Sequence, residues 1–229
     1  CVQNEELVVP QNTAAITFAD AYVSNATKAD PTTTTADIAG FDVWAFMGEP
    51  DGTIFVGEDV KGSGHEWSYA NTQYWTPGNT YYFAAFAPMN SANWTLDTTN
   101  ANYDGAGVVS FTNVDGSEDL LYAATAVESK EKDNLPVKFQ FSHLLSKINF
   151  TFVNGFATSN VDVEVKNVTM TAPASASINL AVENWWDNND WVNLPATNEL
   201  TLAFGDVDRL DAGQSATATD ERLTIPASA

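Results

Sequence analysis

Cysteine is nearly absent from this 229-residue chain, Cys1 being the only one. No disulfide can close within the chain, and a cysteine-based metal site is excluded. Basic side chains are also scarce, with 9 Lys+Arg against 30 Asp+Glu and a formal charge of -21. A field of that sign repels phosphate backbones and anionic headgroups, which argues against nucleic acid as a partner and against docking on lipid through side chains. Only His65 and His143 can supply an imidazole. Gly-x-Ser-x-Gly, His-Glu-x-x-His, P-loop and Gly-x-Gly-x-x-Gly patterns are missing. Carboxylates are plentiful, but none stands in a context that marks out a glycosidase pair. The expectation is therefore no catalysis, no catalytic residue, no cofactor and no metal. No apolar run approaches the roughly 18 residues that span a bilayer, and no segment keeps a helical period over three turns.

What the chain does have is aromatic and β-branched alternation. It is 44% hydrophobic and 12% aromatic. In Leu135 to Phe152, Val137, Phe139 and Phe141 alternate with Lys138 and Gln140, and Ile148, Phe150 and Phe152 alternate with Lys147, Asn149 and Thr151. Period two predicts half-buried strand, either one long kinked strand or two in succession. A run this long can serve two cores, so Val137–Phe152 is expected to be a spine between paired sandwiches.

Further strands are expected at Ala15–Val23, Phe41–Phe46, Thr53–Val56, Thr80–Ala87, Gly107–Phe111 and Asp119–Thr125. Thr80–Ala87 is apolar on both faces, as a central strand should be. Beyond the spine, strands are expected at Asn160–Met170, Ala176–Leu180, Leu200–Phe204 and Arg222–Pro226. These imply an all-β fold of two β-sandwiches joined by a long shared strand. Residues 1–14 are expected to be a tether, 15–135 an N-terminal sandwich, and 136–229 the linking strand with a partial C-terminal sandwich. About four strands after residue 153 are few for a closed sandwich. That half therefore invites completion by another chain.

Cys1, standing first, is the candidate for lipid attachment, as in bacterial lipoproteins cut before a cysteine. The following Val-Gln-Asn-Glu-Glu resembles the acidic export signal of surface lipoproteins in Bacteroidota. Ser24–Thr35 is rich in Thr with a Pro and reads as an exposed loop open to proteases, with Lys28-Ala29 as the candidate cleavage site. Glu183 to Val192 carries Trp185, Trp186 and Trp191 beside Asp187 and Asp190, a composition suited to stacking on sugar faces and accepting hydroxyl protons. The competing reading is that these rings pack the core, the usual fate of Trp. Asp187–Asp190 and Gly205–Asp211 bring oxygen ligands together, but neither has EF-hand spacing and plain turns are the simpler reading.

The pattern as a whole resembles the fimbrillin family, the type V pilins and fimbrillin-like surface lipoproteins of Bacteroidota. The resemblance rests on Phe41-Asp-Val-Trp-Ala-Phe46, Gly78-Asn-Thr-Tyr-Tyr-Phe-Ala-Ala-Phe86, Asp119-Leu-Leu-Tyr-Ala123, Val137 to Phe152 and Val161 to Val168. It implies two transthyretin-like sandwich domains in a structural or adhesive protein of the outer membrane and cell surface, a pilus subunit or its anchor, held by a lipid (palmitate) on Cys1. It also implies assembly by strand donation. A trypsin-like protease removes the first strand, here Ala15–Val23, by cutting in Thr27-Lys28-Ala29, and a neighbouring subunit fills the groove. Two departures stand out: Lys28 replaces the family's usual Arg, and residues 1–28 are still present, as in an uncut precursor or an anchor. The sequence also ends near Ile225-Pro226, where relatives continue into further strands. Asp97-Thr98-Thr99 resembles the short O-glycosylation motif of exported Bacteroidota proteins, making Thr98 a candidate acceptor. The implied partners are other fimbrillin subunits and the outer membrane. The alternative is a surface lipoprotein that captures host or dietary glycans through Trp185–Trp191.

Overall fold

The computed structural model describes residues 14–23, 38–48, 52–63, 65–99, 107–157, 160–180, 191–193 and 198–226. All regular structure among them is strand, as expected. Along the first half run β1 (Phe18–Val23), β2 (Gly40–Met47), β3 (Gly52–Ser63), β4 (Glu66–Ser68), β5 (Thr80–Ala87), β6 (Trp94–Asp97), β7 (Gly107–Thr112) and β8 (Leu121–Glu128). The expected spine is β9 (Val137–His143), β10 (Ser146–Ile148) and β11 (Thr151–Val153). After it come β12 (Val163–Val165), β13 (Thr169–Pro173), β14 (Ser175–Leu180), β15 (Val192–Asn193), β16 (Glu199–Ala203), β17 (Val207–Leu210), β18 (Ser215–Thr217) and β19 (Arg222–Thr224).

A seven-stranded sheet, ordered β1-β9-β8-β5-β2-β3-β4, dominates the molecule. Its central strands are apolar on both faces because both faces are covered. Phe41, Val43 and Ala45 of β2 and Tyr81, Phe83 and Ala85 of β5 point into a first core. Trp44, Phe46, Ala84 and Phe86 point into a second. Gly57 makes the β2–β3 pairing possible at Trp44. It is the extra residue of a bulge between Glu58 and Val56 and sits at φ +64°, and a Cβ there would come within 3.1 Å of the Trp44 ring.

The first core is enclosed because the sheet curls until its edges meet. Ala15 bridges Tyr74, the Ile16 N–H donates to the Gln73 carbonyl at 2.8 Å, and the Trp75 N–H donates to the Ala14 carbonyl at 3.0 Å. The lead-in to β1 thus fastens to the segment just beyond β4. The second core lies between the opposite face and a four-stranded sheet, β15-β14-β7-β6.

Here chain order and space diverge from the expected division at residue 135. β9 pairs with β1 and β8, and β14 returns to lie antiparallel to β7, Ile178 opposite Val109. Cross-strand packing across the gap in sequence decides this, since Ile178 and Ala176 complete the second core. Among the described residues eight strands follow residue 153, rather than about four. The expected Asn160–Met170 strand is broken in two at Asn167, which adopts φ +55°. β17 was hidden in an Asp-rich stretch. Its buried residues, Val207 and Leu210, are three apart because the register with β12 slips between them.

The ladders β11–β18, β12–β17 and β13–β16 surround a third core. It holds Leu202, Phe204, Val207 and Leu210, with Phe150, Phe152, Val163 and Val165 half-buried around them. The spine is extended and serves three cores rather than two. Phe139 and Phe141 enter the first, Leu144 and Leu145 the second, and Ile148, Phe150 and Phe152 the third.

Phe139 meets Phe18, Phe41, Phe83 and Phe141 at ring distances of 5.8, 5.4, 6.5 and 6.0 Å. Phe139→Ala is expected to lower stability by about 3–5 kcal/mol in urea unfolding. Val153→Ala, at a side chain 70% exposed, should stay within about 0.5 kcal/mol of the parent.

Candidate functional site

β1 is the strand whose hold on the molecule differs most from that of its neighbours. It lies at an edge of the seven-stranded sheet, and its one ladder, to β9, is parallel. Ile16, Phe18, Ala21 and Val23 are buried in the first core. Phe18 stacks on Phe139 and touches Phe41, Phe55, Tyr69 and Phe83. The Tyr69 hydroxyl donates to the Ile16 carbonyl at 2.7 Å, and the Val137 N–H donates to the Thr17 carbonyl at 2.7 Å. β1 therefore fits a slot, with β9 on one side and the β4–Trp75 segment on the other.

Burial along β1 does not alternate strictly, since Phe18 and Ala21 both face in. The register explains it: Ala19 opposes Lys138 and Tyr22 opposes Gln140, so β1 carries an extra residue. Asp20 stands at that bulge with φ +50°, a left-handed conformation that Asp tolerates better than most residues. Its carboxylate is gripped from both walls. Lys138 Nζ of β9 reaches Oδ2, and His65 Nδ1, from the turn before β4, reaches Oδ1. The Lys138 hydrogen bond, then that of His65, holds the Asp20 carboxyl below the usual carboxylate range against a small opposing effect of burial. Tyr22 adds a hydroxyl bond to Gln140 at 3.3 Å.

Two further polar clusters lie nearby. Asp119 Oδ2 and His143 Nδ1 meet at 2.6 Å, with side chains only 3% and 8% exposed. The pair ties the approach to β8 onto the end of β9. On β2 and β3, Asp42 and Asp59 are direct cross-strand partners. Asn90 spans them, its N–H donating to Asp42 at 3.0 Å and its side-chain amide to Asp59 at 3.1 Å. Burial, foremost, pushes the Asp42 carboxyl up to about 6, with the Asp59 charge adding to it and the Asn90 N–H opposing.

Of the residues singled out from sequence, Cys1, Lys28, Ala29, Trp185, Trp186, Asp187 and Asp190 lie outside the described residues. Trp191 is placed in the second core, 5% exposed, its ring N–H donating to the Leu144 carbonyl at 3.2 Å. That corrects its candidacy as a sugar platform, since burial against Phe111 leaves no face to stack on. Thr98 follows β6, half-buried, beside Asp97, whose carboxylate turns back to accept the Thr99 N–H and hydroxyl at 2.9 and 2.6 Å. In the Gly205–Asp211 stretch the carboxylates are engaged locally: Asp208 with Lys166, Asp211 with Arg209, and Asp206 with the Asn167 N–H. Among the described residues no group of three or more His, Cys, Asp or Glu side chains is placed to hold a metal, and no helix is long and apolar enough to cross a membrane. Sequence reading missed Asp20 altogether. A lone acid in an apolar strand was the available signal.

A family model described as fimbrillin-like matches residues 22–224. The chain belongs to the fimbrillin-like family. Membership places it among fimbrial, cell-surface proteins. No curated protein matches it by sequence. A crystal structure of a protein from Bacteroides ovatus, provisionally named for cell adhesion, aligns with a TM-score of 0.43 and 17% identity, covering 90% of this chain and 77% of that one. A likeness of that size says nothing about role.

The Asp42 carboxyl of this fimbrillin-like protein yields a pH prediction. It holds its proton to about pH 6 when folded, against about 4 when unfolded. Its contribution is thus full below about pH 4 and lost as pH rises through 6. Asp42→Asn is expected to remove a decline of about 1–3 kcal/mol between pH 4 and 7, read by denaturant titration across that range. Parallel pH profiles for both proteins would refute it.

Proposed function

We propose that the protein is a structural, adhesive component of the cell surface, a fimbrial subunit or its anchor, that assembles by exchange of its first strand. The observation that carries this reading is the placement of β1. It fills an edge slot of the main sheet, it is the first described strand, and the segment that follows it, residues 24–37, contains Lys28. A single cut there separates β1 from the remainder of the sheet, which begins again at Gly40.

The energetics favour exchange over simple loss. Ile16, Phe18 and Val23 each contribute about 1.5–3 kcal/mol by burial, and β1 also pairs backbone groups of β9 that would otherwise be unsatisfied. An empty slot exposes Phe139, Phe41 and Phe55 along an unpaired edge. A nicked molecule should therefore keep β1 until a strand of similar pattern replaces it. In this reading Cys1 carries the lipid that holds the protein to the outer membrane, and other subunits supply the replacing strand. The glycan-capture alternative loses one of its three rings, because Trp191 is packed in the second core.

Limited digestion with trypsin tests the proposal. The expected result is early cutting after Lys28, with the two fragments co-eluting as a folded complex and higher assemblies forming only after the cut. Lys28→Ala should delay both. Immediate unfolding on cleavage, or assembly that ignores the cut, would count against it.

A further inference from the structure

Resting on that reading of the β1 slot, the geometry points to a selection rule for whatever strand occupies it. We infer that the slot favours an incoming strand that brings a carboxylate to the Asp20 position, followed by a small residue and flanked by apolar ones at the positions of Phe18 and Val23. The slot's walls supply the reasons. Lys138 and His65 belong to the part of the molecule that stays behind, on β9 and before β4, and both converge on the carboxylate that β1 contributes. In a chain with 9 Lys+Arg against 30 Asp+Glu, a lysine and a histidine converging on one carboxylate are a scarce feature. Elsewhere the acidic surface discourages an acidic strand, and here two donors invite one.

Three further constraints sharpen the pattern. The backbone at position 20 is left-handed, with φ +50°, which Asp, Asn and Gly adopt far more readily than branched residues. Charge then separates Asp from Asn and Gly, since a carboxylate meets the Lys138 ammonium and the His65 ring at once. Ala21 is 2% exposed against the first core, leaving no volume for a larger side chain. Lysine at position 20 would face Lys138, which makes exclusion of basic strands as much a part of the rule as attraction of acidic ones. The occupant this fits is a strand from a second copy or a relative carrying the order found in Phe18-Ala19-Asp20-Ala21-Tyr22-Val23.

The test uses full-length protein nicked between Val23 and Ile38, unfolded and refolded with labelled peptides spanning residues 14–23, so that slow exchange cannot mask binding. The parent peptide competes against versions carrying Asp20→Asn and Asp20→Lys. Exposed ion pairs are individually weak, so the expected preference is about threefold over the Asn peptide and about tenfold over the Lys peptide. Both margins should shrink in about 1 M salt. Lys138→Glu protein should move the preference toward the Lys peptide. Equal binding of all three peptides, with no response to Lys138→Glu, overturns the selection rule and leaves strand exchange intact. Entry of no peptide at all overturns strand exchange, and the rule falls with it.

Discussion

Both faces of the central strands must be kept from water, and the architecture follows from that requirement. Phe41 and Val43 on one side of β2, Trp44 and Phe46 on the other, leave no face for solvent. An antiparallel sheet ordinarily buries one face and wets the other. This one must be covered twice, by different means. On one side it curls over itself and becomes its own lid, with Trp75, Tyr69 and Phe18 filling the interior. On the other it borrows a second sheet, part of which, β14, comes from beyond the spine. β1 is what closes the curl, so its small area of contact governs the exposure of a much larger aromatic interior.

The spine distributes that dependence. Between Val137 and Val153 the chain contributes to all three cores in turn, and the break between β9 and β10 holds Leu144 and Leu145, its two contributions to the second. The third core is the thinnest of these. The spine's side chains there, Ile148, Phe150 and Phe152, are half-buried, so that region relies on two-stranded ladders more than on depth. The β10–β19 ladder sits at the seam, with Ile148 turned to the third core and Leu223 to the second. Perturbation at the first core has a continuous covalent and packed route to the last ladder.

How much of this can be read from residues depends on whether the signal is local. Thr80–Ala87 announces a central strand because both parities are apolar, and β5 is central. Val137–Phe152 announces extended backbone by strict alternation, and no helix interrupts it. β6 carries no strand signal of its own, because Trp94 is the one buried residue among its four, too few to show a period. β17 was read as turn because a register slip against β12 spaces its buried residues like a helix rather than a strand. The return of β14 to β7 is invisible to any local pattern, since it is fixed by complementarity between segments more than sixty residues apart. Asp20 shows locally only as a lone acid in an apolar strand. Its importance comes from Lys138 and His65, which only the closed sheet brings together.

That last point bears on which strands an acidic protein with exposed sheet edges admits. Sheet edges offer unpaired donors and acceptors to any extended chain, and charge is one of the cheaper defences. A net -21 sets a general repulsion between like molecules that falls off within about 10 Å at moderate salt. Correct pairing must overcome the same repulsion, so it needs a local attraction that operates only inside the screening length. The carboxylate of Asp20 between Lys138 and His65 has that range, and its left-handed bulge ties the charge to one register along β9. A strand that slips by one residue misplaces the charge and turns Phe18 outward together. Charge and hydrophobic register therefore reject the same errors, which is how a slot with so few basic groups can still be selective.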